Sequence, residues 1–209
     1  MKKVVITGCS TGLGHAMALW GKKHGWDVLA SVRKPEDGQT LREAGCQVEL
    51  LNLADSDSVQ AFAQTVQGWA PSGLNGLVNN AGNVVVAPIE ELSRERLREQ
   101  FEVNVFGHIE LTRLLIPDLR KAQGTIVMLS SVSSDLTFPL YGPYSASKRA
   151  LEALTDALAM ELDGDGIKVA IVQPGSHASS IWKKCKRQVE PYFNHPQYGI
   201  MAKALQYFA

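Results

Sequence analysis

The sequence has few of the features that mark secreted, membrane-spanning or nucleic-acid-binding proteins. Its 209 residues include three cysteines, Cys9, Cys46 and Cys185, whose odd number and wide spacing match neither a disulfide framework nor a zinc-ligand pattern. The 21 basic residues are balanced by 21 acidic ones, so no net charge attracts nucleic acid or an anionic membrane. No apolar run approaches the roughly 18 residues of a membrane span. We therefore expect a soluble, cytoplasmic protein without a metal site.

What the sequence does contain is short apolar runs that alternate with helical stretches. Hydrophobic residues make up 45% and charged residues 20% of the chain, which is typical of a globular domain and excludes disorder or a coiled coil. The apolar runs cover residues 4–7, 28–32, 48–51, 77–79, 125–130 and 168–172, and helical periodicity is clearest over 93–120 and 144–162. Parallel strands need crossover connections. The order therefore predicts an α/β fold: one domain over residues 1–209, with a doubly wound parallel sheet of the Rossmann type between two helix layers.

A glycine-rich turn follows the first apolar run. Residues 7–14 read Thr-Gly-Cys-Ser-Thr-Gly-Leu-Gly, a G-x-x-x-G-x-G spacing that opens a helical stretch. Glycine lets the backbone turn sharply and approach a ligand, and a helix N-terminus offers free N–H groups to a pyrophosphate. The turn predicts a dinucleotide-binding loop made by Gly8, Ser10, Thr11, Gly12, Leu13 and Gly14. An ordinary glycine-containing turn between a strand and a helix is the alternative.

The same residues also spell a rival motif. Gly8 to Gly12 reads G-x-S-x-G after a strand, the pattern of a hydrolase nucleophile elbow, in which Ser10 would be the nucleophile. A serine hydrolase further needs an acid and a histidine downstream, and His108, His177 and His195 stand in no recognisable context. The hydrolase interpretation also leaves Gly14 unexplained, so it remains a remote alternative.

Polar residues follow the later apolar runs. Asn80, Ala81 and Gly82 come after the fourth run, Ser131 comes after the fifth, and Asn104 lies within the helical stretch 93–120. Ligands of α/β proteins bind beyond the carboxyl ends of parallel strands. These residues and the glycine-rich turn should therefore meet at one cleft.

The pair Tyr144 and Lys148 predicts acid–base chemistry. The two residues are four apart and so share one face of the helix 144–162. A nearby ammonium group stabilises a phenolate, so we expect Lys148 to lower the Tyr144 pKa from its ordinary value near 10. A tyrosine activated in this way serves as an acid or base near neutral pH.

Taken together, these residues resemble the short-chain dehydrogenase/reductase family. The resemblance runs in order from about residue 3 to residue 180. It is carried by the T-G-x-x-x-G-x-G turn, the N-N-A-G stretch, Asn104, Ser131 thirteen residues before Tyr144, the Y-x-x-x-K pair and Pro174-Gly175. Each element alone is weak, whereas six in order are specific. Residues 138–154 look most like members that act on retinol, steroids and other lipophilic alcohols or ketones.

The resemblance implies a role for each matching residue. Tyr144 would be the general acid/base, Ser131 would donate a hydrogen bond to the substrate oxygen, and Lys148 would hold the nicotinamide ribose. Asn104 would organise a water of the proton relay. The reaction would be hydride transfer between nicotinamide and a carbonyl or secondary alcohol of a small molecule. Seen singly, Tyr144 could be a packing residue and Asn104 a polar residue that bends a helix.

The cofactor is predicted from the end of the second apolar run. The family's usual acidic residue, which repels a 2′-phosphate, is replaced by Val32, and Arg33 follows it. A guanidinium suits a phosphate, so NADP(H) is favoured, although NAD(H) is possible and Arg33-Lys34 could be a solvated pair. By resemblance, the other cofactor contacts are Asn52, Leu53, Asn80, Ala81, Gly82, Tyr144, Lys148, Pro174, Gly175 and Ser179.

The C-terminal part departs from the family pattern. Residues 176–198 should form a substrate lid, in which Trp182, Tyr192 and Phe193 could line an apolar pocket. We interpret its basic run over 183–187 as solvated helix surface, with a clamp for an anionic substrate as the alternative. The chain ends where the family usually adds a seventh strand, so we expect a truncated form.

Two further expectations concern activity and assembly. An NADP-sensing binding protein that has kept the fold without turnover is the alternative to an enzyme. The helical stretches 98–119 and 144–162 each carry apolar residues on more than one face. By resemblance, a homodimer or homotetramer would bury them in a four-helix interface.

Overall fold

The structure, a computed structural model, describes residues 1–176 and 180–206 and confirms the α/β architecture. All six strands pair in parallel, in the order β3-β2-β1-β4-β5-β6. The strands are β1 (Lys3–Ile6), β2 (Asp27–Val32), β3 (Gln47–Leu50), β4 (Gly76–Asn79), β5 (Thr125–Leu129) and β6 (Lys168–Val172). The bounds lie within one residue of those predicted, because buried parallel strands read as continuous apolar runs.

Helices connect the strands and cover both faces of the sheet. They are α1 (Gly12–Lys23), α2 (Gln39–Glu43), α3 (Ser56–Trp69), α4 (Arg94–Phe101), α5 (Gly107–Ala122), α6 (Gly142–Leu162), α7 (Ser180–Val189) and α8 (Gly199–Gln206). Helix α6 begins two residues before the predicted start, with Pro143 in its first turn, where a missing N–H costs little.

The core has two sides because side chains alternate along the central strand β1. Val5 pairs with Leu29 in β2 and Leu77 in β4, and all three lie in the apolar cluster that α3, α5 and α6 cover. Val4 and Ile6 lie in the opposite cluster, which α1 and α2 cover. Two helix layers therefore enclose the sheet, as predicted.

The strand order places a crevice at the carboxyl ends of β1 and β4. From β1 the chain winds outward through β2 to β3, then returns to add β4 on the other side of β1. Loops that leave two such strands part in opposite directions, and ligands of doubly wound sheets bind between them. The glycine-rich turn and the Asn80–Gly82 turn thus face each other across this crevice.

The prediction of one regular helix over residues 93–120 is wrong in one detail, because a π-helical turn interrupts it. The structure ends α4 at Phe101 and starts α5 at Gly107, with a wider π-helical turn over Glu102–Phe106 between them. Such π-bulges are frequent at functional sites. This turn contains Asn104, and periodicity alone does not reveal the extra residue.

After β6 the described chain forms α7 and α8. They pack with the loop 84–87 and the start of α6 in a third apolar cluster, which includes Val84, Val86, Tyr141, Cys185 and Val189. In the described ranges, no helix is long and apolar enough to cross a bilayer, and no three His, Cys, Asp or Glu side chains group as for a metal ion. The three cysteines are buried free thiols.

Candidate active site

Two turns lock together at the crevice. The Thr7 hydroxyl accepts hydrogen bonds from the backbone N–H groups of Asn80 (2.9 Å) and Ala81 (3.0 Å). The Asn80 side-chain amide donates in return to the carbonyl groups of Thr7 (2.8 Å) and Gly8 (3.2 Å). The turn after β1 and the turn after β4 are therefore held as one rigid unit.

This contact explains the glycine spacing. Gly8 has a φ of +71°, and a Cβ there would lie 2.6 Å from the Ala81 Cα. A Cβ at Gly14 would collide with the Gly8 carbonyl and the Asn80 amide. The glycines are required because the two turns and the start of α1 leave no room for side chains, which brings backbone N–H groups to the crevice.

The crevice holds a cleft of about 260 Å³. It brings together most of the residues predicted from the sequence: Gly8, Ser10, Thr11, Gly12, Leu13, Arg33, Asn52, Leu53, Asn80, Ala81, Gly82, Ser131, Tyr144, Lys148, Pro174 and Gly175. Gly14 and Asn104 lie behind the wall, where they support it. Ser179 lies outside the described residues.

Several wall residues were not predicted from the sequence. Ser31 in β2 accepts a hydrogen bond from the Gly8 N–H at 3.1 Å, and so supports the glycine-rich turn from the side. Tyr141 and Lys184 also line the cleft. Ser31 is the polar residue within the apolar run 28–32, near its carboxyl end, which could have indicated it, but the place of Lys184 depends on how α7 docks.

Ser131 and Tyr144 meet at the floor of the cleft. Ser131 follows β5, its hydroxyl accepts from the Ser133 N–H at 3.1 Å, and it also bonds to the Tyr144 hydroxyl. Burial raises the pKa of Tyr144, the bond to Ser131 lowers it in part, and the Cys185 thiol adds a smaller rise. The phenol is therefore neutral at physiological pH.

Lys148 lies one helical turn from Tyr144. Its ammonium group donates to the Leu129 carbonyl at 2.6 Å and lies 5.9 Å from the centroid of the Tyr144 ring. Burial lowers the pKa of Lys148 to about 8, and the charge of Glu152 opposes this shift. The expectation that Lys148 lowers the Tyr144 pKa is not met, because burial of the phenol raises this pKa and the bond to Ser131 offsets the rise only in part.

The Asn104 amide ties three elements together. Its oxygen accepts from the Asn83 N–H at 2.9 Å, and its nitrogen donates to the Asn83 carbonyl and to the Ser147 hydroxyl, each at 3.1 Å. Ser147 donates in turn to the Tyr144 carbonyl at 2.7 Å. The π-helical turn thus positions Asn104 so that it holds the loop after β4 against the first turns of α6.

His108 supports the turn after β4 from behind. It is fully buried; one ring nitrogen lies 2.7 Å from the Ala81 carbonyl and the other 3.1 Å from the Asn79 side-chain oxygen. Burial and, to a smaller extent, the charge of Lys148 lower the His108 pKa to about 4, and the hydrogen bond to the Ala81 carbonyl opposes this shift. The Asn79 side-chain nitrogen donates in turn to the Thr112 hydroxyl at 2.8 Å, which ties this support to α5.

The hydrolase alternative finds no support in the described ranges. Ser10 lines the cleft, but His108 is engaged with Ala81 and Asn79, and His195 stacks on Tyr198. No described histidine hydrogen-bonds to Ser10, and His177 is outside the described residues. Among the described residues, no histidine is therefore placed to act as the base that a serine nucleophile needs.

Helix α7 closes one side of the cleft. The Gln188 amide oxygen accepts from the Val86 N–H at 2.9 Å, and its nitrogen donates to the Val84 carbonyl at 2.8 Å. The Cys185 thiol lies 3.4 Å from the Tyr141 hydroxyl. Contrary to the lid prediction, Tyr192 and Phe193 pack into the third apolar cluster instead of lining the cleft. The Trp182 side chain is outside the described part.

Comparison with known proteins agrees with this geometry. A family model described as short chain dehydrogenase matches residues 2–190. The chain belongs to that family. It is 43% identical over 175 residues to an uncharacterized oxidoreductase, YbbO, of Escherichia coli K12, covering 83% of this chain but 65% of that protein. The chain therefore spans slightly less than two thirds of this relative.

Two further relatives carry a cofactor in their descriptions. An NADPH-dependent 3-dehydrocapnine reductase of Ornithobacterium rhinotracheale is 37% identical over 201 residues, covering 92% of this chain and 71% of that protein. A metagenomic short-chain oxidoreductase solved in complex with NADP is 29% identical with a TM-score of 0.78, covering 84% of this chain and 83% of that one. The second of these has the same fold as this chain.

Burial of the Lys148 amine makes stability depend on pH. Its pKa is about 8 in the folded chain and about 10.4 in an unfolded one, so the unfolded state binds more protons between these values. The free-energy cost of burying the charged amine applies in full below pH ~8 and vanishes as the pH rises toward ~10.4. We expect the unmodified chain to gain about 3 kcal/mol of unfolding free energy relative to Lys148→Met over this range. Urea denaturation measures the difference, and parallel pH curves would contradict it.

Proposed function

We propose that the chain is an NADP(H)-dependent oxidoreductase that transfers a hydride between nicotinamide and a carbonyl or secondary alcohol. The observation that carries the proposal is the Ser131–Tyr144 hydrogen bond, with Lys148 one turn away, in the cleft between the two locked turns. The phenol and the serine hydroxyl are neighbours, so both would donate to one substrate oxygen once it replaces the bond between them. The same cleft has the backbone donors that a dinucleotide needs.

The residues present fit such a cofactor. The missing Cβ atoms at Gly8 and Gly14 leave a backbone cradle for the pyrophosphate. Asn52 and Leu53 would contact the adenine, Arg33 the 2′-phosphate, and Tyr144 and Lys148 the nicotinamide ribose. When bound, the cofactor supplies or accepts the hydride.

The chain's own residues handle the proton and the orientation. With its pKa raised, Tyr144 is protonated at neutral pH and can donate to a ketone oxygen, which favours reduction. Ser131 holds the same oxygen, so the carbonyl faces one direction. Below pH ~8 the charged Lys148 stabilises the phenolate left after proton transfer. Asn104 fixes Ser147 and the loop at Asn83, and we assign it the relay water that the family resemblance implies.

The substrate we propose is a small lipophilic ketone or secondary alcohol. The relative from Ornithobacterium is described as a reductase of 3-dehydrocapnine, and another, from Schizosaccharomyces pombe, as a reductase of 1-acyldihydroxyacetone phosphate. Both names describe reduction and NADPH dependence, in line with a neutral Tyr144 that donates a proton.

A binding protein that senses NADP without turnover is the second candidate. It would keep the glycine-rich turn and Arg33 but would not need Ser131 and Tyr144 in mutual contact. Their bond, and the network from Asn104 through Ser147 to the Tyr144 carbonyl, favour the enzyme. Tight NADPH binding without consumption by any ketone would favour the sensor.

We also propose a cytoplasmic homodimer or homotetramer. Free, buried thiols suit a reducing compartment. On the helices of the predicted interface, Phe106, Leu154 and Met160 are 53%, 43% and 75% exposed. Such surface is typical of an interface between subunits. Light scattering at micromolar concentration should give at least twice the chain mass of 22.8 kDa, and a monomer mass would contradict the assembly.

Cofactor preference should depend on Arg33. A charge-assisted hydrogen bond contributes about 1.5–3 kcal/mol, so NADPH should be favoured over NADH by roughly 10- to 150-fold in kcat/KM. Arg33→Ala should remove most of this ratio, because the contact exists only with the phosphate. Lys34→Ala is the matched control, since Lys34 instead pairs with Glu36 at 3.9 Å. Equal kcat/KM values for the two cofactors in the unmodified chain would overturn the assignment.

Turnover should depend on the Tyr144 hydroxyl. With NADPH and a lipophilic ketone, followed by absorbance, we expect Tyr144→Phe to lower kcat by at least ~10²-fold, the usual contribution of a general acid. Tyr141→Phe is the matched control: it loses a neighbouring hydroxyl that bonds to Cys185 rather than to Ser131, so its loss should be far smaller. Near-normal turnover of Tyr144→Phe would remove Tyr144 from the mechanism.

A further inference from the structure

Two cations from distant parts of the sequence line the same cleft. Arg33 follows β2, Lys184 lies on α7, and both side chains are exposed at the cleft wall. Within the described ranges, neither is at ion-pair distance from a carboxylate. Partial burial lowers the pKa of Lys184, and the charge of Arg33 adds a smaller lowering, so the two cations that line this cleft also repel each other.

The docking of α7 directs Lys184 into the cleft. Cys185 is buried against Tyr141, and Gln188 is bound to the loop backbone at Val84 and Val86, so the rotation of the helix is fixed. Lys184 precedes Gln188 by four residues and therefore lies on the same face. Its basic neighbours Lys183, Lys186 and Arg187 are exposed and do not line the cleft. Lys184 therefore lines the cleft, whereas the favoured prediction for residues 183–187 was solvated helix surface.

Two like charges that share a cleft without a counterion repel each other, which is unfavourable. A bound anion attracts both, so the net electrostatic energy becomes favourable. The position identifies the anion. Arg33 follows β2 directly after Ser31 and Val32, and Ser31 holds the glycine-rich turn, whereas Ser131 follows β5, three strands away in the sheet. Arg33 therefore lies on the adenosine side of the proposed cofactor site, and Lys184 lines the same cleft close enough for the two charges to interact.

We infer that Lys184 and Arg33 grip the ribose 2′-phosphate of NADP(H) from opposite walls, so that α7 contributes to cofactor specificity. This inference rests on the proposed function. Arg33 follows a strand of the sheet, whereas Lys184 belongs to residues 176–198, the segment predicted to cover the substrate. A lysine is a strong point charge for a phosphate dianion, whereas the arginine adds a planar fork of donors.

The test compares Lys184→Met with Lys186→Met, which removes the same charge from the same helix outside the cleft. Dissociation constants for NADPH and NADH are measured by fluorescence titration at low salt, and circular dichroism verifies the fold. We expect Lys184→Met to lower the ratio of the NADH to the NADPH constant about tenfold, the size of a weak charge-assisted bond. Lys186→Met should change this ratio by less than about twofold, since screening weakens distant surface charges.

Fragments distinguish the phosphate from a general effect of charge. Lys184→Met should weaken binding of adenosine 2′-phosphate by a similar factor and that of adenosine 5′-phosphate much less. Equal changes in the two lysine variants, or equal changes for the two fragments, would overturn the inference. An unchanged ratio in Lys184→Met combined with a lost ratio in Arg33→Ala would also overturn it, while leaving the proposed function standing. If the unmodified chain binds neither NADPH nor NADH, both the inference and the proposed function fail.

Discussion

The close contact between the turns after β1 and β4 is the constraint on which the rest of the site depends. Across it, the Thr7 hydroxyl accepts from the Asn80 backbone N–H and the Asn80 side-chain amide donates to the Thr7 carbonyl, while Gly8 has no space for a side chain beside Ala81. Because the strands beneath are paired and buried on both faces, the position of these turns is fixed by the whole sheet. His108, buried behind Ala81, completes the support.

Around these two turns, burial shifts the pKa values of the ionisable groups so that their neutral forms are favoured. Burial lowers the pKa of Lys148 and His108 and raises that of Tyr144. Burial of this kind strengthens electrostatic interactions with a ligand. It also lowers the stability of the folded chain, because these groups lose their hydration. We therefore regard the Lys148 amine as a functional group that the free protein accommodates at a cost, through its bond to the Leu129 carbonyl.

The sequence predicted much of this because the relevant signals are local. Buried parallel strands are continuous apolar runs, and the glycine turn, Ser131, Tyr144 and Lys148 follow strand ends or begin a helix. What it did not predict depends on contacts between distant segments. The π-helical turn at Asn104 forms where its amide binds Asn83, and the inward position of Lys184 is set by Gln188 against Val84 and Val86. The pKa of Tyr144 likewise follows from burial rather than from its spacing to Lys148.

The most direct test of the account follows the hydride itself. NADPH deuterated at C4 of the nicotinamide is incubated with the full chain and a panel of lipophilic ketones, and the products are examined by mass spectrometry. The account predicts an alcohol that carries one deuterium on the former carbonyl carbon, formed at neutral pH, where the raised pKa of Tyr144 keeps its proton in place. Tight binding of NADPH with no deuterated alcohol from any ketone would contradict the proposed oxidoreductase.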